Sequence, residues 1–318
     1  MGINVLGYQT TLRDRIEFSG VGVHSGEPVN MALLPAEANC GILFCVNDPA
    51  TGNSRDIPAT IASIGATDLC TVLGDPSGLY VATVEHLMAA LRALNVDNVI
   101  VEIDNREVPV MDGSSQVFVD AIRSTGLVSL PDARCYIRVE KPVRVDMGAS
   151  WAEFLPYDGT RFEVEIDFDS EVIGRQSFKS DLNADVFARD LSRARTFGFM
   201  KDVERLWAAG FALGSSLDNS VVIGDGNRII NPEGLRYGDE FVRHKTLDAI
   251  GDLALAGAPI LGCFRSYRGG HKLNATVLRT LLSDRSAFEF VGVSQARPRA
   301  GHGELVAMSA PAYAAVLN

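Results

Sequence analysis

Cysteine is scarce in this chain, basic residues are outnumbered, and no apolar run is long. The five cysteines, Cys40, Cys45, Cys70, Cys135 and Cys263, are odd in number and scattered without a CxxC pair. That pattern indicates neither a disulfide framework nor a cysteine zinc knuckle and fits a reducing cytosol, so a cytoplasmic location is expected. Lys plus Arg number 29 against 40 Asp plus Glu, a formal net charge of −11. Broad nucleic-acid or anionic-membrane binding would need a basic surface, so neither is expected. The longest apolar segments, such as LALAGAPILGCF, fall short of the roughly 20 residues that span a bilayer, which argues against stable membrane insertion. The start, MGINVLGYQTTLRDR, has no basic n-region or long apolar h-region, and Leu6 stands where a myristoylation motif would place Ser or Thr. The HExxH pattern of zinc peptidases is also missing.

What is present is enough apolar material, 47% of 318 residues, for two domains with their own cores. From Thr11 to Val46, IEFSGVGVHSGEPVNMALLP and CGILFCV alternate apolar and polar residues between turn signals, the pattern of strands in hairpins. TVEHLMAALRAL carries a helical stripe of Val84, Leu87, Met88, Leu91 and Leu94, with Thr83 as the candidate N-cap. NVIVEID follows as a buried strand, and Ser114 or Ser115 is placed to cap a second helix, VFVDAIRSTG. LVSLPDAR reads as a linker. Alternation then restarts in CYIRVEKPVRVD, WAEFLPY and RFEVEIDFD. DVFARDLSRARTFGF, DVERLWAAGF and FVRHKTLDAIGDLAL read as helices, VVIGDGNRII as a hairpin around Asp225 and Gly226, and PILGCF as a strand.

Both halves thus place strands first and helices later. HLMAALRALNVDNVIVEI from His86 and HKTLDAIGDLALAGAPILGCF from His244 begin with histidine, continue as helices and end in apolar strands, a short internal repeat. The expected fold is α+β, two domains of duplicated topology. The first domain covers 1–130, a linker 131–134, the second domain 135–293, and a loosely ordered tail 294–318.

In FVRHKTLDAIGD, 100° steps put Val242, Thr246, Leu247, Ile250, Leu253 and Ala254 on one side and His244, Asp248 and Asp252 in a strip opposite. A spacing of four brings His244 and Asp248 close enough to share an ion, although for this helix alone a hydrogen-bonded pair on a solvated face is the default reading. A catalytic zinc takes three protein ligands and leaves a fourth position open. His86 opens the matching helix and is the third candidate, with Glu85 beside it to take a proton; the bland alternative is a first-turn polar pair favoured by the helix dipole. His271 lies in YRGGHKLN, where Arg268 and Lys272 add positive charge, which suits either an anion-binding loop or a solvated turn. His24, in GVGVHSGEP, lines a site or caps a hairpin, and His302 falls in the tail. Phe197, Phe199, Met200, Val203, Leu206, Trp207, Phe211 and Leu213 exceed what one helix stripe needs; core packing is the default explanation and a channel for a fatty chain the other.

The stretches GVGVHSG, TVEHLMAAL, DNVIVEI, PVMDGS, SRARTFGFM, DEFVRHKTLDAIGDL and GGHKLN together resemble the zinc-dependent UDP-3-O-acyl-N-acetylglucosamine deacetylases of lipid A biosynthesis, from about Ser19 to about Asn274. The resemblance implies a cytoplasmic enzyme that hydrolyses the acetamide of a UDP-linked, 3-O-acylated N-acetylglucosamine to the free amine and acetate. It implies zinc on His86, His244 and Asp248, with Glu85 as general base. Lys245, Thr196 and His271 would contact the substrate or its tetrahedral intermediate, His271 as proton donor to the amine and Asp252 as its partner. Phe197, Met200, Val203, Ala212 and Ser216 fall on the acyl passage of that family, and Phe168 where an aromatic ring stacks on uracil. It also implies helices packed between the two sheets, with the site at their junction, and a monomer is the simplest state. DMGASW departs from the family in having small residues where some members carry a lysine, so Arg268 and Lys272 are expected to hold the diphosphate. A sugar-nucleotide or acyl-chain binding protein that has lost turnover is the rival, and the joint presence of Glu85, the three ligands and His271 argues against it.

Overall fold

The computed structural model describes residues 7–47, 52–293 and 305–307. The first half runs β1 (Tyr8–Leu12), β2 (Ile16–Val21), β3 (Pro28–Pro35), β4 (Ile42–Asn47), β5 (Ser54–Pro58), β6 (Ile64–Ala66), β7 (Val72–Gly74), β8 (Tyr80–Val81), α1 (Glu85–Ala93), β9 (Val99–Ile103), α2 (Gln116–Thr125) and β10 (Leu127–Ala133). The second runs β11 (Cys135–Val139), β12 (Val143–Met147), β13 (Ser150–Leu155), β14 (Thr160–Asp167), β15 (Arg175–Asp181), α3 (Ala184–Val186), β16 (Phe197–Phe199), α4 (Met200–Ala208), β17 (Val221–Gly224), β18 (Arg228–Ile229), α5 (Glu240–Ala254), β19 (Ile260–Tyr267), α6 (His271–Ser283), β20 (Phe288–Val293) and β21 (Leu305–Ala307).

The duplication expected from two matched helices extends to five strands of each main sheet, the second sheet having β11, β20 and β21 in addition. In the first half the order is β2-β3-β9-β4-β5, with β9 parallel to β4 and every other pair antiparallel. In the second it is β12-β13-β19-β14-β15, with β19 parallel to β14 and every other pair antiparallel. Each late central strand is preceded by a helix, α1 or α5, and followed by another, α2 or α6. Period-two alternation aims one face of each sheet inward: Ile42, Phe44 and Val46 on β4, and Phe162, Val164 and Ile166 on β14. Those faces and the helices share a single core that runs through both halves. α1 packs on α5, and α5 packs on β14 and β15, so the helices lie between the sheets.

This placement overturns the solvated-face alternative for α5. Only Arg243 and Lys245 of its fifteen residues escape burial; His244, Asp248 and Asp252 are 2–3% exposed. The polar strip faces α1 instead of water. Close approach is possible because Gly251 has no side chain: a Cβ there would stand 2.0 Å from the carbonyl oxygen of Glu85.

Four local expectations need correction. Thr83 does not cap α1; its φ is +57°, and its hydroxyl donates to Glu107 Oε1 at 2.8 Å. The segment DVFARDLSRARTFGF is not one helix. It has a short α3, a π turn at Phe187–Leu191 and then β16, because Arg195 is drawn onto the start of α5. There its backbone N–H and its Nε both donate to Glu240 Oε1 at 2.9 Å. The segment expected as a linker lies mostly in β10, which supplies hydrogen-bond partners to β1, and the register slips opposite the stretch holding Pro131, which has no N–H to give. In the expected tail, Leu305–Ala307 form a strand against β20; the rest of the tail, His302 included, lies outside the described residues. The helix α6, unanticipated beyond His271, fills the space against β12 and β13. No helix among the described residues is long and apolar enough to cross a membrane.

Candidate metal centre and active site

Each side chain of the site reaches the junction by a local cause. Glu85 and His86 occupy the first turn of α1, whose remaining side chains, apart from Arg92, are buried apolar ones that fix the helix against its sheet. His244, Asp248 and Asp252 recur every fourth residue on α5 and meet them from the second half. His271 stands at the first position of α6, after a turn in which Arg268 adopts φ +52°.

Ligand atoms of His86, His244 and Asp248 lie within 4.8 Å of one another, and all three residues are buried. Nε2 of His86 is 3.6 Å and Nε2 of His244 3.3 Å from Asp248 Oδ1. That oxygen accepts no hydrogen bond among the described residues although it is buried, an orphan acceptor that costs stability unless a cation meets it. His244 gives its Nδ1 to the Ala194 carbonyl at 3.0 Å, which leaves the Nε2 lone pair facing the cluster. Burial pushes the His244 imidazole down to about 4, so it is neutral and ready to ligate. Burial alone would raise the Asp248 carboxyl, but His244 and Lys245 outweigh it and hold Asp248 well below the usual carboxylate range. With His244 neutral, Lys245 is the standing cation: Nζ donates to Asp248 Oδ2 at 2.7 Å. Two imidazoles and one ionised carboxylate, with one carboxylate oxygen unpartnered, are a donor set that could hold a divalent metal ion.

Beside this cluster lie a carboxylate and a histidine with opposite tendencies. Burial raises the Glu85 carboxyl. Burial works against charge on His271, but Asp252 and Glu85 outweigh it and lift the imidazole to about 9. Nδ1 of His271 donates to Asp252 Oδ2 at 2.9 Å, while its Nε2 is 3.8 Å from Glu85 Oε1. A buried carboxylate and a charged imidazole therefore stand together beside the cluster of His86, His244 and Asp248, an arrangement able to accept a proton at one group and donate one from the other.

Other anticipated residues are arranged around this centre. Phe197 stacks edge-on to His244 with 6.1 Å between centroids and to Phe168 with 5.9 Å. Phe168, Lys245 and Arg268 line one cavity of about 510 Å³, together with Ala149 and Ser150, the small residues of DMGASW. Thr196 sits between Ala194 and Phe197, its backbone bonded to Gly113 and Val221. Met200 and Val203 lie on α4, of which no residue is buried; Met200 is exposed, as is Ser216 in the loop that follows, whereas Ala212 there is buried. Lys272 is exposed on α6 and is not part of that cavity's wall. His24 is half-buried, edge-on to Phe211 at 5.7 Å.

Two polar residues were missed. Asn274 donates to Asp252 Oδ2 at 2.8 Å, and its place in GGHKLN, one turn after His271, is the signal that could have found it. Thr71 touches both Asp252 and Glu85, and nothing in DLCTVLG announces it.

The family model described as LpxC, UDP-3-O-acyl N-acetylglycosamine deacetylase, matches residues 9–283. The chain belongs to this family. Among its relatives, the UDP-3-O-acyl-N-acetylglucosamine deacetylases of Brucella ovis, Brucella abortus strain 2308 and Brucella melitensis biotype 2 are each 58% identical to it over 284 residues. The alignment covers 89% of this chain and 98% of each relative. The deacetylase family is one of metalloenzymes, and His86, His244 and Asp248 form a group that could hold a metal ion.

Proposed function

We propose that the protein hydrolyses the acetamide of UDP-3-O-(3-hydroxyacyl)-N-acetylglucosamine to the free amine and acetate, the committed step of lipid A biosynthesis. The observation that carries this reading is the buried His86, His244 and Asp248 cluster with its orphan carboxylate oxygen, flanked by Glu85 and His271. Zinc held by these three would supply Lewis acidity at the amide carbonyl and lower the pKa of water.

The chain's own residues do the rest. Glu85, made more basic by burial, accepts the proton of the attacking water at a carboxylate oxygen. His271, held protonated by Asp252, gives its Nε2 proton to the nitrogen as the C–N bond breaks. The Thr196 hydroxyl and the Lys245 ammonium offer donors to the developing negative oxygen. Lys245 then exchanges its hold on Asp248 for one on substrate.

The cavity that joins Phe168, Lys245 and Arg268 suits a uracil ring and a diphosphate, and the exposed Lys272 on α6, outside its wall, is assigned to the diphosphate as well. Phe197, Met200, Val203, Ala212 and Ser216 are assigned to the acyl chain, which α4 would meet on an unburied face. The protein is taken to act as a monomer in the cytoplasm. The test is acetate release from the UDP-sugar by purified protein before and after chelation. Turnover that survives metal stripping, or that never appears with added zinc, overturns the reading.

A further inference from the structure

Thr71, just before β7, is 1% exposed and uses three polar groups at the junction of the two halves. Its hydroxyl donates to Asp252 Oδ1 at 2.6 Å, and its backbone N–H donates to Glu85 Oε2 at 3.1 Å. Its carbonyl accepts the N–H of Val84, the residue before α1. One residue therefore binds the carboxylate proposed to take a proton and the carboxylate that holds the proton donor.

The bonding around Asp252 shows why this matters. Oδ2 is occupied by His271 and Asn274, and Thr71 provides the hydroxyl on Oδ1. Without that hydroxyl the carboxylate has a buried oxygen to satisfy and one anchor fewer against rotation about its side-chain bond, a rotation that would carry the His271 ring with it. Asp252 belongs to α5 and Glu85 to α1, so the contact also fixes the spacing of two elements from different halves.

We propose that Thr71 is a positioning residue for the deacetylation: it sets His271 through Asp252 and Glu85 through its backbone, and so fixes the distance between proton donor and proton acceptor. This rests on the function proposed above for Glu85 and His271. The backbone contribution survives any side-chain change, so the hydroxyl is what substitution can test. Thr71→Val keeps the shape and removes the donor.

The experiment measures kcat and KM for acetate release from the UDP-sugar, metal content and melting temperature for wild type, Thr71→Val and Thr71→Ser. Thr71→Val is expected to lower kcat by about 10- to 100-fold with KM and metal content little changed, and Thr71→Ser to restore most of the rate. In an Asp252→Ala background the same Val substitution is expected to cost less than about threefold, because the two residues act as one unit. Thr71→Ala carries the same expectation and serves if the Val variant does not fold. A wild-type kcat in Thr71→Val, a Ser variant as slow as Val, or an undiminished loss in the Asp252→Ala background each overturns the inference. An absence of acetate from the wild-type protein overturns the parent reading instead.

Discussion

Nδ1 of His271 lies 2.9 Å from Asp252 Oδ2, a contact between the start of α6 and the last full turn of α5. Burial opposes a charge on that ring, yet Asp252 and Glu85 together hold it protonated up to a pH of about 9. The sign of the pH dependence follows. A folded-state value above the ordinary 6.5 means that the pair's stabilisation is fully present below that value and is lost as pH rises toward 9. Acetate release should therefore decline on the alkaline side as His271 loses its proton. Asp252→Asn removes the largest raising influence and should move that alkaline limb down by about one to three pH units. A kcat/KM profile with an unmoved limb would show that another group controls it.

Glu85 is next to His86 in sequence but is not in the cluster of His86, His244 and Asp248 proposed to hold the metal. Glu85→Ala should cut acetate release by about 100-fold or more while leaving the bound metal in place. Metal analysis of the same preparation separates the two roles: a protein that has lost its ion along with its rate would make Glu85 a ligand.

His86 and His244 could be paired from sequence because two helix-then-strand segments begin with histidine, and the structure extends that match to a five-strand sheet and a five-strand part of an eight-strand sheet with the same order. What sequence could not supply was the environment of the polar strip on α5. Amphipathicity records that one face differs from the other; it does not say whether water or a second helix lies opposite, and here α1 does. The helical pattern of DVFARDLSRARTFGF was overridden by a tertiary interaction, the Arg195 and Glu240 pair, whose two members are 45 residues apart. Thr71 was illegible for the same reason, since its hydrogen-bond partner Asp252 is 181 residues away.

Removing the metal should cost stability as well as activity. Asp248 Oδ1 is buried without a hydrogen bond, and three ligand groups are held close together in a desolvated space. An ion present at about 1,000 times its dissociation constant contributes about 4 kcal/mol to the folded state, so chelation should lower the melting temperature by several degrees. Adding zinc back should restore both the transition and acetate release. An identical melting curve with and without chelator, with metal analysis showing that the ion had left, would mean that the cluster is satisfied without it.

Gly251 should be intolerant of even one added carbon. It lies inside α5, where glycine costs about 1 kcal/mol relative to alanine, so helix propensity alone predicts that Gly251→Ala stabilises the protein. The structure predicts the opposite, because the new Cβ would stand 2.0 Å from Glu85 O and 2.7 Å from its carbonyl carbon, rigid backbone on both sides. α1 would have to move away from α5, carrying Glu85 and His86 with it. The expected result is a loss of about 1–3 kcal/mol in denaturant unfolding. Acetate release should fall as well, since a shift of that size separates His86 from its two partners on α5. A more stable Gly251→Ala protein with full activity would show that the two helices do not approach as closely as described.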